Sequence, residues 1–78
     1  MILVLDNIRS AHNVGAIFRT ADAFRVQEIH LCGITPKPPH RKIKKTALGA
    51  TQSMRWRSWE STLDCIKYLK EQVNDNIW

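Results

Sequence analysis

The chain opens on five apolar residues in a row, Met1 to Leu5 (MILVL), stopped by Asp6. An unbroken run of strand formers predicts a strand covered on both faces. A polar turn, Asp6 to Ala11, follows, and the period then changes. Val14, Ile17, Phe18, Ala21 and Phe24 recur at spacings of three and four, which predicts a helix with one apolar stripe, capped by Ser10 or Asn13. Gln27 to Ile34 (QEIHLCGI) predicts a second buried strand. Thr35 to Thr46 holds the three prolines and then a basic run, and predicts a loop. Ala47 to Gln52 suits a short helix and Arg55 to Trp59 a third strand. Leu63, Ile66, Tyr68, Leu69 and Val73 form a second helical stripe over Ser61 to Val73, with Ser61 and Asp64 as a capping box. Asn74 to Asn76 predicts a turn, and Ile77-Trp78 the first step of another strand.

Strand, short loop, helix, strand is the βαβ unit, with parallel strands and a right-handed crossover. The fold class is therefore α/β, built on a parallel sheet. Parallel sheets carry helices on both faces, and three strands with a stub do not complete one. Residues 1–78 thus read as the N-terminal part of a single larger α/β domain, in preference to a complete miniature one.

Charge sharpens this picture. The formal net charge is +5, which favours a polyanionic partner. The excess is local: Ile29 to Trp59 holds Lys37, Arg41, Lys42, Lys44, Lys45, Arg55 and Arg57 without one carboxylate, while the rest of the chain holds all seven acids against five bases. Such a concentration is the footprint of contact with a phosphate backbone. A solvated loop is the competing reading of Lys37 to Lys45. Trp56 and Trp59 have the chemistry to stack on bases, but their alternation with Arg55, Arg57 and Ser58 favours half-buried strand packing.

Cys32 and Cys65 sit in apolar surroundings without zinc-site spacing, and read as buried free thiols in a reducing compartment. No run approaches the ~20 apolar residues of a membrane span, and the N-terminal apolar run is too short for a signal peptide. The expectation is a soluble, cytoplasmic protein with no membrane partner.

Arg19 lies opposite the apolar stripe of its helix, beside His12, Ala16 and Ala23. Flanking alanines let a ligand approach, and a guanidinium fork binds phosphate or carboxylate through two hydrogen bonds. Asn13 and Gly15 sit where the first strand feeds the helix, the region where open α/β sheets bind ligands. Gly15 admits a ligand or another backbone at close range. His30, His40 and Cys32 do not make a metal site. There is no nucleophilic triad, phosphate-binding glycine loop or carboxylate pair. The residues alone support an anion-binding α/β segment directed at nucleic acid.

The stretch LDNIRSAHNVGAIFRTADAF resembles motif 1 of the SpoU (TrmH-like) RNA ribose 2′-O-methyltransferases of the SPOUT superfamily, through Asn13, Gly15, Ala16, Ile17, Arg19, Thr20 and Ala21. KKTALGA is similar to the same family's K-x-[ST]-x-G-A segment, through Lys44, Thr46, Gly49 and Ala50. The resemblance implies the Rossmann-like N-terminal half of a trefoil-knot domain, with the knot region, and hence the S-adenosylmethionine-binding motifs, outside this chain. It implies that Arg19 is the catalytic arginine that helps activate the ribose 2′-hydroxyl, and that Asn13 supports the site's geometry. It also implies tRNA or rRNA as substrate and a homodimeric parent enzyme, with these 78 residues inactive alone. The alternative is a non-enzymatic RNA-binding module that keeps motif 1. Arg25 departs from the family pattern, which commonly has Gly there; it predicts a differently shaped helix end or an extra basic contact.

Overall fold

The computed structural model describes residues 1–75, with side chains up to Gln72. The order is β1 (Ile2–Asp6), α1 (Ala11–Ala23), β2 (Glu28–Cys32), α2 (Arg41–Ala47), α3 (Ala50–Ser53), β3 (Arg55–Trp59) and α4 (Thr62–Asp75). The strands form one parallel sheet in the order β1-β2-β3, as the βαβ pattern requires. The expected Ile77-Trp78 strand, Asn76 of the expected turn and the Val73 side chain lie outside the described residues.

Register assigns the two faces of the sheet. Leu3, Ile29 and Trp56 align across the strands, as do Leu5 and Leu31. These residues pack with Val14, Phe18 and Ala21 of α1, Ile43 and Ala47 of α2, and Ala50 of α3 in one core. Alternation turns His30, Cys32, Arg57 and Trp59 to the opposite face. There α4 packs against β2 and β3, with Cys65 buried and Trp59 against Tyr68.

Several expectations need correction. Among the described residues β1 is only partly covered on its second face: Ile2 is 40% exposed and Val4 half-buried, because the helix of that face packs on β2 and β3. Phe24 does not belong to the α1 core stripe; it is the C-cap residue and 78% exposed. Leu63 likewise leaves the α4 stripe, with 62% of the residue exposed. Asn74 and Asp75 continue α4 rather than turn the chain.

The largest correction is α2. The basic run assigned to a loop is helical from Arg41 to Ala47. Its lysines and arginine are good helix formers, and Ile43 and Ala47, four residues apart, bury one face. His40 caps it by accepting the Lys42 N–H at Nδ1, 3.2 Å away. Leu48 and Gly49 then both take left-handed backbone, which delays α3 to Ala50.

Ser10, rather than Asn13, caps α1: its hydroxyl accepts the Asn13 N–H at 3.1 Å. The helix ends in a Schellman motif, with the Val26 N–H on Ala21 O at 2.9 Å and the Arg25 N–H on Asp22 O at 3.2 Å. Arg25 takes φ +56°, so the helix end keeps the left-handed form that glycine favours instead of adopting another shape. β2 stops two residues before Ile34. At Gly33, φ is +65° and a Cβ would fall 2.0 Å from Asn7 Oδ1, which accepts the Ile34 N–H.

Candidate functional site

α1 divides its duties by face. Val14, Phe18 and Ala21 enter the core, while Asn13, Arg19 and Thr20 stay exposed. Arg19 stands in a cleft between α1 and α2, lined on the first helix by His12, Ala16 and Thr20 and on the second by Lys45 and Thr46. The sequence placed His12 and Ala16 beside Arg19, and the structure agrees. Lys45 is brought in from the basic run that forms α2, a pairing that chain spacing alone does not show.

The two helices meet this closely because of one position. A Cβ on Gly15 would lie 1.8 Å from Thr46 Oγ1 and 2.7 Å from Ile43 O. The close approach that glycine permits is therefore to α2. The Thr46 hydroxyl lies 3.0 Å from His12 O and 3.1 Å from Lys42 O, so it binds both helices through one polar atom. The motif at Asn13 to Ala21 and the motif at Lys44 to Ala50 thus form one structural unit.

Asn13 lines the adjoining groove between α1 and the β1 edge, with Ile17, Thr20 and Leu3. Ala16 and Thr20 border both recesses. Asn13 and Arg19 therefore open onto neighbouring recesses separated by one small-residue ridge.

The basic residues separate into two groups. Arg41, Lys42, Lys44 and Lys45 are exposed on α2, and Lys37 on the loop before it. Arg55 and Arg57 project from the other sheet face, two residues apart on β3. The Arg57 guanidinium lies 4.3 Å from the Trp59 ring and 4.8 Å from the Tyr68 ring, a cation–π pair of contacts that holds it against α4. The structure does not bring these two arginines to the α2 cleft.

Trp59 is half-buried, and its Nε1 donates to His30 Nδ1 at 2.9 Å. His30 is fully buried; its Nε2 lies 2.9 Å from Glu28 Oε1 as a polar contact, without the alignment of a hydrogen bond. His30 thus serves the interior of the sheet–α4 layer. Beside it, burial pushes the Cys65 thiol up to about 12, helped by the Cys32 thiol and opposed by Arg57. Both cysteines are free and buried. Among the described residues no group of three His, Cys, Asp or Glu side chains is placed to hold a metal ion, and no helix is long and apolar enough to cross a membrane.

Chemically, the α1–α2 cleft offers a guanidinium, an ammonium and an imidazole with no carboxylate on its walls. It is suited to bind a phosphate-bearing ligand and to stabilise negative charge. It is less suited to remove a proton, since a guanidinium offers five donors and no acceptor.

The profile of the SpoU rRNA Methylase family matches residues 1–78. The chain is 29% identical over 72 residues to a tRNA (guanosine(18)-2'-O)-methyltransferase of Escherichia coli (strain K12), covering 92% of this chain and 31% of the relative. It is 32% identical over 82 residues to a 23S rRNA (guanosine-2'-O-)-methyltransferase of Neisseria meningitidis serogroup B, covering 100% and 30%. Among solved structures, an rRNA methyltransferase from Sinorhizobium meliloti superposes with a TM-score of 0.81 at 29% identity, over 88% of this chain and 26% of that one. The SpoU methyltransferase AviRb of Streptomyces viridochromogenes, in complex with AdoMet, shares the fold with a TM-score of 0.83 at 19% identity, over 92% and 27%. The chain therefore spans about 30% of the length of the curated relatives it matches.

Proposed function

Since its profile matches residues 1–78, the chain belongs to the SpoU rRNA Methylase family, and on that premise we propose that it is the N-terminal part of the single catalytic domain of an S-adenosylmethionine-dependent RNA ribose 2′-O-methyltransferase, with tRNA or rRNA as substrate. The observation that carries this reading is the junction of the two motif segments. Thr46 packs into the space left by Gly15, and Arg19 and Lys45 consequently share one cleft.

In this reading Arg19 is the catalytic residue. It holds a phosphate of the RNA next to the reacting ribose and stabilises charge developing on the 2′-oxygen. Asn13, on the neighbouring recess, supports the geometry of the site. Lys37, Arg41, Lys42, Lys44 and Lys45 on the α2 side, with Arg55 and Arg57 on the other, supply the RNA-facing charge. The parent enzyme is a cytoplasmic homodimer.

S-adenosylmethionine supplies the methyl group when bound, but these residues do not form its pocket. Open α/β sheets bind ligands beyond the carboxyl ends of their strands, and here the ends of β1 and β2 close on each other. The Thr35 hydroxyl accepts the Ile8 N–H at 3.0 Å and lies 2.7 Å from Cys32 O and 3.1 Å from Leu5 O. The Asn7 amide spans Asp6 and Ile34. The cofactor's binding residues belong to the remainder of the domain.

The test is methylation mapping of total RNA treated with the full-length protein and S-adenosylmethionine. A 2′-O-methyl group at a defined tRNA or rRNA nucleotide is expected, and its loss in Arg19→Ala. RNA binding without methylation by the active-site-intact protein would instead favour a non-enzymatic RNA-binding module.

A further inference from the structure

α2 also borders a second cleft, on the side facing α3 and the β3 edge. Trp56 lines it together with Pro39, Arg41, Lys44, Thr51 and Gln52, and among the described residues its lining holds no carboxylate. Trp56 packs against the core yet remains only half-buried. β3 is an edge strand of the sheet among the described residues. Trp59, the other tryptophan of β3, is unavailable because its Nε1 is bound to His30 and its ring to Tyr68 and Arg57.

The cleft therefore combines an aromatic surface, two cationic side chains and the hydrogen-bonding amide and hydroxyl of Gln52 and Thr51. An acidic peptide would satisfy the charge but leave the indole unused, and an apolar ligand would leave the cations unpaired. A nucleotide uses all three, since every base has a π-face and every linkage carries a phosphate. We propose that the cleft formed by α2, α3 and β3 binds an unpaired nucleotide of RNA, with its base stacked on Trp56 and its phosphate held by Arg41 and Lys44.

This inference rests on the RNA-directed reading above and adds a place for a second nucleotide. α2 presents Lys45 to the Arg19 cleft and Arg41 and Lys44 to the Trp56 cleft. An RNA strand crossing the helix, ~10 Å wide, would occupy both. The device selects flexible or splayed RNA, because a paired base cannot offer its face to an indole.

The test is equilibrium binding of a short single-stranded oligoribonucleotide to the full chain, followed by quenching of tryptophan emission and by anisotropy of a label on the RNA. The same RNA as a duplex and a glutamate-rich peptide serve as competing probes. Single-stranded RNA is expected to bind most tightly, with Trp56→Ala weakening it about tenfold or more. Trp56→Phe keeps a stacking ring, separates lost stacking from lost folding, and should retain most of the affinity. Arg41→Gln and Lys44→Gln should each lower the slope of log affinity against log salt by about 0.7. Equal binding by folded Trp56→Ala, or equal preference for the duplex or the peptide, overturns the proposal. Methylation with unchanged Trp56→Ala binding would refute this site and leave the enzymatic reading intact. A working Trp56 site in a protein that never methylates would do the reverse.

Discussion

Thr46 Oγ1 lies 1.8 Å from the point where a Cβ on Gly15 would stand. Two residues 31 positions apart are therefore one packing unit, and the α1–α2 cleft depends on it. Gly15→Ala should push the helices apart and destabilise the chain by about 1–3 kcal/mol, the range for overpacking a tight contact. Urea unfolding measures this. Thr46→Ala removes the nearest atom, but Ile43 O at 2.7 Å remains, so the double variant should recover only part of the loss. No loss in Gly15→Ala would show that the helices are not held by this contact, and full recovery in the double variant would show that Thr46 alone, without Ile43 O, sets the approach.

Arg25 occupies a left-handed position, φ +56°, that costs an ordinary side chain about 1–2 kcal/mol. Arg25→Gly should raise stability on the order of 1 kcal/mol, after allowing for the greater chain entropy of unfolded glycine. A β-branched Arg25→Val should lower it. Thermal unfolding of the pair decides: a stabilising valine would mean that the helix end does not hold this conformation.

Arg19 is exposed and outside the core, so its truncation leaves no cavity. Arg19→Ala should change unfolding free energy by no more than about 0.5 kcal/mol. In the full-length protein it should reduce methylation about a hundredfold or more, the usual effect of losing a charge-stabilising donor. Arg19→Lys, which keeps charge but loses the fork, should not restore activity. Near-normal turnover in Arg19→Ala would remove Arg19 from the catalytic role, and near-normal turnover in Arg19→Lys would show that its charge suffices without the fork.

The Cys65 thiol, raised from an ordinary 9.0 to about 12, keeps its proton in the folded chain where the unfolded chain has lost it. Its contribution to stability is complete below about pH 9 and is lost as pH rises through the window up to about 12, on the order of 1 kcal/mol per pH unit. Urea midpoints of the wild type should fall more steeply across this alkaline range than those of Cys65→Ala. Parallel slopes would show that the thiol is not the group responsible.

S-adenosylmethionine should give no binding heat when titrated into the 78-residue chain by isothermal calorimetry. The carboxyl ends of β1 and β2, where an open α/β sheet would take a ligand, are bridged by Asn7 and Thr35. Measurable saturable binding would place part of that pocket within these residues after all.

Local pattern determined much of this protein. The βαβ unit followed from a change of period at Val14, β3 from the alternation of Trp56 and Trp59 with Arg55, Arg57 and Ser58, and the exposure of Arg19 from its place opposite Val14, Phe18 and Ala21. The motif residues of both segments were recognisable in order. What pattern could not determine was anything set by a distant partner. Thr35 to Thr46 reads as a loop until Ile43 and Ala47 pack with α1, and helix formation from Arg41 to Ala47 follows from burial of that face. Phe24 and Leu63 fit apolar stripes yet lie open, since a stripe is buried only as far as the surface opposite it extends. Gly15 announces a close approach, but only the tertiary structure names Thr46 as what approaches. Arg55, Arg57 and the α2 cations share one run of chain but lie on opposite faces of the sheet, because strand alternation sorts side chains that sequence proximity groups together.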